Sequence, residues 1–164
     1  MIRQATKNDV SRIAEILVFS KRMNYREIFQ NDAYSFGELQ VDAVAKQYDD
    51  EEILSHTWVY TETLTDRYLG TEAEIVKGVV EVVDSEIRTL YVDSFFVGEG
   101  IGGELVEYAK RTLDGRFLWV LERNERAIRF YMRHGFLLSG ERIPEPDTEE
   151  YLVRLECHED KYDT

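Results

Sequence analysis

The chain has 164 residues, 43% of them hydrophobic and 12% aromatic, which predicts one domain with a filled core and excludes a disordered or fibrous protein. No apolar run approaches the ~20 residues of a membrane helix, the first ten residues lack a secretory apolar region, and a lone cysteine, Cys157, excludes an internal disulfide or a cysteine-based metal site, so a cytoplasmic setting is expected. Twenty basic residues against 33 acidic ones leave a net charge of −13, which disfavours nucleic acid and membranes as partners and favours cationic molecules.

The domain is expected over residues 1–157, with a polar tail at 158–164. Ile2–Ala5 is a short apolar start. Thr6 followed by Asp9 fits a capping box, and Val10, Ile13, Leu17 and Ser20 recur at helical spacing, predicting a helix over about 7–22. Asn24–Leu54 is helical but ragged, with one or two helices joined by a loop near Asn31–Gly37. Thr57–Glu62, Ile75–Val83 and Ile87–Asp93 are rich in alternating or β-branched residues and predict an antiparallel meander, with Asp84-Ser85 as a turn. A glycine cluster, Gly98–Gly103, then opens a helix with Ile101, Leu105, Tyr108, Ala109 and Thr112 on one face. Phe117–Leu121 is an apolar run of strand length, and Asn124 begins a helix carrying Ala127, Ile128 and Tyr131, stopped by Gly135. Phe136–Arg142 and Tyr151–Glu156 close the chain as strands around the loop Pro144–Glu149. The order βααβββαβαββ is that of a mixed α/β (α+β) domain: a mostly antiparallel sheet of about 6–7 strands with helices on both faces.

Strand, glycines, then helix is an arrangement that presents consecutive backbone N–H groups and a helix N-terminus to an anion. It is also what a tight strand-to-helix turn without a ligand looks like. Gly98, Gly100 and Gly103 satisfy G-x-G-x-x-G, with Glu122 about 20 residues on, as an NAD-binding oxidoreductase requires. That fingerprint belongs to the first unit of a parallel sheet, however, and here a meander precedes it. A nucleotide-binding P-loop is excluded because no Gly-Lys-Ser/Thr follows.

Taken with the Asn124–Phe136 segment, the chain resembles the GCN5-related N-acetyltransferase (GNAT) family over nearly its whole length. The residues that carry the resemblance are Ile2-Arg3-x-Ala5-Thr6 with Asp9, a β-branched run before Gly78, and Leu90-Tyr91-Val92-Asp93 ahead of Gly98-x-Gly100-Ile101-Gly102 with Leu105 behind. Asn124-x-x-Ala127-x-x-Phe130-Tyr131-x-x-x-Gly135-Phe136 is the second hallmark. The resemblance implies an acyl-CoA N-acyltransferase fold that binds acetyl-CoA where two central strands splay, without a metal. Leu90, Tyr91 and Val92 would pair with the pantetheine arm. Val97, Gly98, Glu99, Gly100, Ile101, Gly102 and Gly103 would hold the pyrophosphate, and Asn124, Ala127, Phe130 and Tyr131 would line the arm near the thioester. The family usually has Gln or Arg at Val97, a basic residue at Glu99 and Pro at Ser94. An inward Glu99 would oppose a polyanionic cofactor, and Arg123, Arg126, Arg129, Arg133, Lys110 and Arg111 are near enough in sequence to offset it.

The implied chemistry is direct transfer of an acetyl group to a primary amine in a ternary complex. The amine must lose a proton and the thiolate must gain one. Tyr131 is the expected general acid within this pattern; read without it, the residue is an amphipathic core residue beside Ala127 and Ile128. Glu81 and Glu86 are the carboxylates nearest the expected cleft and are candidate bases, with water as the other candidate. His56, His134 and His158 share no metal-ligand spacing and read as structural or solvated, and Trp58 and Trp119 as core. Tyr25, Phe29 and Tyr34 are candidate walls for the acceptor or, equally, core under a long connection. Asp32, Glu38, Asp42 and the run Asp49-Asp50-Glu51-Glu52 suggest a cationic small-molecule or peptide amine. The family resemblance also implies a homodimer. Two further readings stand beside the transferase: a non-catalytic acyl-CoA-binding or regulatory module, and the NAD-binding oxidoreductase.

Overall fold

Short β-branched strands bounded by turn residues, and longer amphipathic segments between them, build one seven-stranded sheet with helices on both faces. The structure, a computed structural model, describes residues 1–158, so all of the expected tail except residue 158 lies outside the described residues. The strands are β1 (Ile2–Gln4), β2 (Thr57–Thr65), β3 (Glu72–Val83), β4 (Glu86–Val92), β5 (Phe117–Leu121), β6 (Phe136–Pro144) and β7 (Tyr151–Cys157). The helices are α1 (Val10–Phe29), α2 (Val41–Tyr48), α3 (Glu51–Ser55), α4 (Ile101–Thr112) and α5 (Glu125–Arg133). No helix among the described residues is long and apolar enough to cross a membrane.

At the N-terminus the capping box forms as expected. The Asp9 carboxylate accepts from the Thr6 N–H at 2.8 Å and from the Thr6 hydroxyl at 3.1 Å. Arg3 adds two bonds to the same carboxylate, at 2.8 and 2.9 Å. Burial pushes the Asp9 carboxyl up, but Arg3 and the Thr6 bonds together outweigh it and hold it below the usual carboxylate range. α1 continues to Phe29, beyond the expected end near residue 22, and stops with Gln30 in the left-handed region. No glycine or proline marks that end. The expected loop at Asn31–Gly37 is instead partly helical: Tyr34–Glu38 forms a π-helical turn, closed by the Leu39 N–H donating to the Tyr34 carbonyl at 2.9 Å. The segment before β2 therefore holds α2 and α3 as well as this turn.

The sheet order is β1-β2-β3-β4-β5-β7-β6. Asp84 and Ser85 both have positive φ (49° and 66°), the geometry a two-residue turn between twisted antiparallel strands requires, and they join β3 to β4 as expected. Every neighbouring pair is antiparallel except β4 and β5. One parallel pair in a meander removes the frame that an NAD fingerprint needs. Strand alternation sends Val59 and Val79 to the core beneath α1–α3, while Val80 and Ile87 join Leu105, Val106, Leu118, Phe136 and Leu155 beneath α4 and α5. β6 is an edge strand on which Leu137 and Leu138 are exposed.

Candidate active site

The two parallel strands meet at a single register position, Glu86↔Phe117, and then part. The Arg116 and Phe117 N–H groups donate to the Ser85 carbonyl at 2.7 and 3.2 Å, which pins the closed end. Beyond it β5 gives all its pairing to β7, from Phe117↔Glu156 to Leu121↔Leu152. The β4 edge facing β5 is left open, and a cleft of about 950 Å³ fills the gap.

One end of the cleft is the glycine loop. A 3₁₀ turn at Ser94–Phe96, capped by the Asp93 carboxylate accepting from the Phe95 N–H at 2.9 Å, delivers the chain to Gly98 and Gly100. Their φ values of 91° and 84° belong to the region that side chains disfavour. Gly100 caps α4, and the Glu104 N–H is the first to bond back into the helix, at 3.1 Å to the Gly100 carbonyl. The amides of Ile101, Gly102 and Gly103 precede that first bond, at the positive end of the helix dipole. A Cβ at Gly102 would meet the Phe130 ring at 3.4 Å, and one at Gly103 would meet His134 at 3.3 Å. The glycines thus let α4 approach α5 closely and leave a cradle of bare backbone suited to an anion.

Of the cofactor-binding residues expected, Leu90, Tyr91, Val92, Val97, Gly98, Gly100, Ile101, Gly102, Gly103, Asn124, Ala127, Phe130 and Tyr131 all line this one cleft. Glu99 does not, so its carboxylate is not part of the anion cradle. Of the six basic residues considered as offsets, Arg126 and Arg133 line the cleft. Arg123 bonds Glu150, while Lys110 and Arg111 pair with Glu107, and Arg129 pairs with Glu125. His134, expected to be structural, also lines the wall, with Nδ1 3.2 Å from Glu107.

Tyr131 is buried in an aromatic group, edge-on to Phe130 and Phe136 with centroids 5.1 and 5.8 Å away. Among the described residues its hydroxyl has no hydrogen-bond partner, and the ring forms part of the cleft wall. Burial pushes its phenol well above the usual value, helped by Tyr25 nearby, so it keeps its proton. Asn124 uses its side-chain carbonyl to cap α5, accepting from the Ala127 N–H at 3.2 Å.

The expected base candidates sit elsewhere. Glu81 shares the α1 side of the sheet with Val79, where its carboxylate accepts from the Tyr48 hydroxyl at 2.8 Å. Glu86 lies at the closed end and accepts from Arg88 at 3.4 Å. Neither lines the cleft. Tyr25, Phe29 and Tyr34 do line it. None of the acidic residues from Asp32 to Glu52 is in the wall; Asp32, for one, pairs with Arg26 at 2.9 Å. The sequence reading missed two features. The Tyr25 and Tyr91 hydroxyls meet at 2.6 Å, and Glu145, from the β6–β7 connection, is the acidic lining residue among those described. Long-range contacts of this kind leave no local pattern. Trp119, expected as core, is half-buried in the same wall.

The model of the acetyltransferase (GNAT) family matches residues 24–136. A search of curated proteins finds no significant match. Among solved structures, apo YjaB from Escherichia coli superposes with a TM-score of 0.67 at 22% identity, covering 95% of each chain. The PaiA N-acetyltransferase of Thermoplasma acidophilum in complex with coenzyme A gives 0.61 at 14% identity, covering 95% of this chain and 98% of that one. The spermidine N-acetyltransferase SpeG of Vibrio cholerae gives 0.58 at 16%, covering 96% and 94%. These likenesses carry the fold, and the family match spans the meander, the glycine loop, the splay and α5. The chain belongs to the GNAT family of acetyltransferases.

Proposed function

We propose that this protein is an acetyl-CoA-dependent N-acetyltransferase that acts on a primary amine by direct transfer within a ternary complex. The observation that carries the reading is the splay itself: β4 and β5 pair at one position, and the cleft between them runs to a bare glycine cradle at the start of α4. Acetyl-CoA supplies an activated acetyl thioester. The amides at the start of α4, with Arg126 and Arg133 beside them, suit its pyrophosphate. The open edge of Leu90–Val92 suits its amide-bearing arm, and α5 from Asn124 to Tyr131 forms the opposite wall.

The protein's own part in the chemistry is to orient the reactants and to hold a proton. In this reading the Tyr131 hydroxyl is the general acid, kept protonated by burial and ready to donate to the departing sulfur. Free N–H groups on the β4 edge stabilise the charge that develops on the carbonyl oxygen. The amine gives up its proton to water in the open cleft, since Glu81 and Glu86 lie outside its wall. The lone cysteine fits a reducing, cytoplasmic setting.

Thermal melts with acetyl-CoA, coenzyme A, NAD or no ligand test the reading. A ligand at ~100 times its Kd adds about 2.7 kcal/mol, a rise of several degrees in a domain of this size. Stabilisation by both CoA species and none by NAD is the expected result. No shift with either CoA species at millimolar concentration would refute it.

A further inference from the structure

The cleft wall contains cations at three places. They are Arg126 and Arg133 on α5, Lys21 on α1, whose ammonium burial disfavours while the Glu81 charge favours it, and Arg88 on β4, which bonds Glu86 at 3.4 Å. Glu145, from the connection after β6, brings a carboxylate into the wall, and among the described residues no donor reaches it. Its connection is held firmly: the Glu145 N–H donates to the Glu150 carbonyl at 2.9 Å, and the Thr148 hydroxyl donates to the Glu145 carbonyl at 3.0 Å.

Three aromatic rings line the same cleft as this carboxylate and touch one another. Tyr25 and Phe29 meet edge-on at 6.0 Å and 76°, and Phe29 and Tyr34 at 6.2 Å and 74°. All three rings line the cleft, and an aromatic face is a favourable neighbour for an organic cation. The charge of Glu145 reaches both phenols: after burial, it is among the causes that raise Tyr25 and Tyr34. A half-buried carboxylate beside aromatic rings offers an organic cation a charge partner and π-faces together.

We propose that Tyr25, Phe29, Tyr34 and Glu145 form a subsite for an organic ammonium ion, so that the acetyl acceptor is a cationic amine. The assignment rests on the transferase reading in taking this part of the wall as the acceptor's side. It replaces the acidic residues between Asp32 and Glu52 as the source of cation preference, because none of them lines the cleft.

Calorimetric titration of 1,4-diaminobutane, with butane-1,4-diol as its uncharged counterpart, tests the subsite on the protein with and without coenzyme A. The diamine is expected to bind saturably and the diol not at all. Glu145→Gln, which keeps the shape and loses no existing hydrogen bond, should weaken the diamine about tenfold or more, as removal of a charge-assisted bond does. Tyr34→Leu should weaken it several-fold. Glu51→Gln, an equal charge change on exposed α3, should leave it unchanged. Equal binding of the diol, equal binding by Glu145→Gln, or equal weakening by Glu51→Gln would overturn the proposal. The two readings fail separately. Binding of the diamine without coenzyme A binding keeps the cation subsite and removes the transferase, and coenzyme A binding with no diamine binding does the reverse.

Discussion

Tyr131 combines a packing role with a chemical one, and the two can be separated by a single atom. Its ring fills the space between Phe130 and Phe136, so Tyr131→Phe preserves the edge-on contacts and removes only the hydroxyl. Loss of a general acid lowers the rate by about 10²–10⁴-fold. The expected outcome is therefore a kcat reduced by at least about a hundredfold with the melting shift by coenzyme A retained. Unchanged turnover would remove Tyr131 from the chemistry; no turnover in the wild type, with binding intact, would favour the non-catalytic module. The pH dependence has a definite sign. Burial raises the folded-state value above the ~10 of a free phenol, so the proton-donating form persists to higher pH than it would in water. The kcat profile should show no alkaline loss attributable to this group below pH ~10. Folding follows the same direction. The stability that burial of the neutral phenol contributes is fully present below pH ~10, and it falls as pH rises toward the folded-state value because the unfolded chain ionises first. An alkaline limb near neutrality that disappears in Tyr131→Phe would contradict this assignment.

The glycine loop and α4 form the element on which anion binding turns. At Gly100 φ is 84°, and a Cβ there would meet no atom within 4 Å, so Gly100→Ala tests backbone conformation free of any clash. Holding alanine in the left-handed region costs about 1–2 kcal/mol, and the loop can escape that strain only by turning its amides. Coenzyme A affinity is expected to fall about tenfold or more, with the unliganded melting temperature lowered by only a few degrees; equal affinity would mean that the Gly100 conformation is not needed. Elements of this kind were readable in the sequence because their signals are local. Glycines that need positive φ, Asp84-Ser85 in a two-residue turn, Thr6 with Asp9 in a capping box, and the apolar run of β5 each announce themselves within a few residues. The unread parts depend on partners distant in sequence. α1 runs on to Phe29 with no terminating glycine or proline, and the π-helical turn at Tyr34–Glu38 obeys no period the sequence displays. Glu81 turned to the α1 side because Tyr48, 33 positions away, waits there, and Glu145 reached the cleft through the β6–β7 connection.

For the whole molecule, the distribution of charge matters more than its sum. The chain carries −13 overall, yet the lining of its cleft includes Lys21, Arg88, Arg126 and Arg133 against Glu145 alone among the described acidic residues. A polyanionic ligand therefore meets two opposing fields. At ~0.01 M salt the screening length is about 30 Å, so an approaching ligand feels the repulsion of the whole surface. At ~0.1 M it is about 10 Å, which hides most of that surface, while Arg126 and Arg133 still act within contact distance once the ligand is seated. Association and dissociation should thus respond differently to salt. Stopped-flow measurements with coenzyme A are expected to show an association rate that rises as salt increases over this range, the reverse of electrostatically steered binding. The dissociation rate should also rise, because salt weakens the contacts that hold the bound anion, and Arg126→Ala or Arg133→Ala should raise it further without slowing association in proportion. An association rate that falls with salt would show that the local cations already govern the approach, and that the acidic surface has no hold over when the cleft is filled.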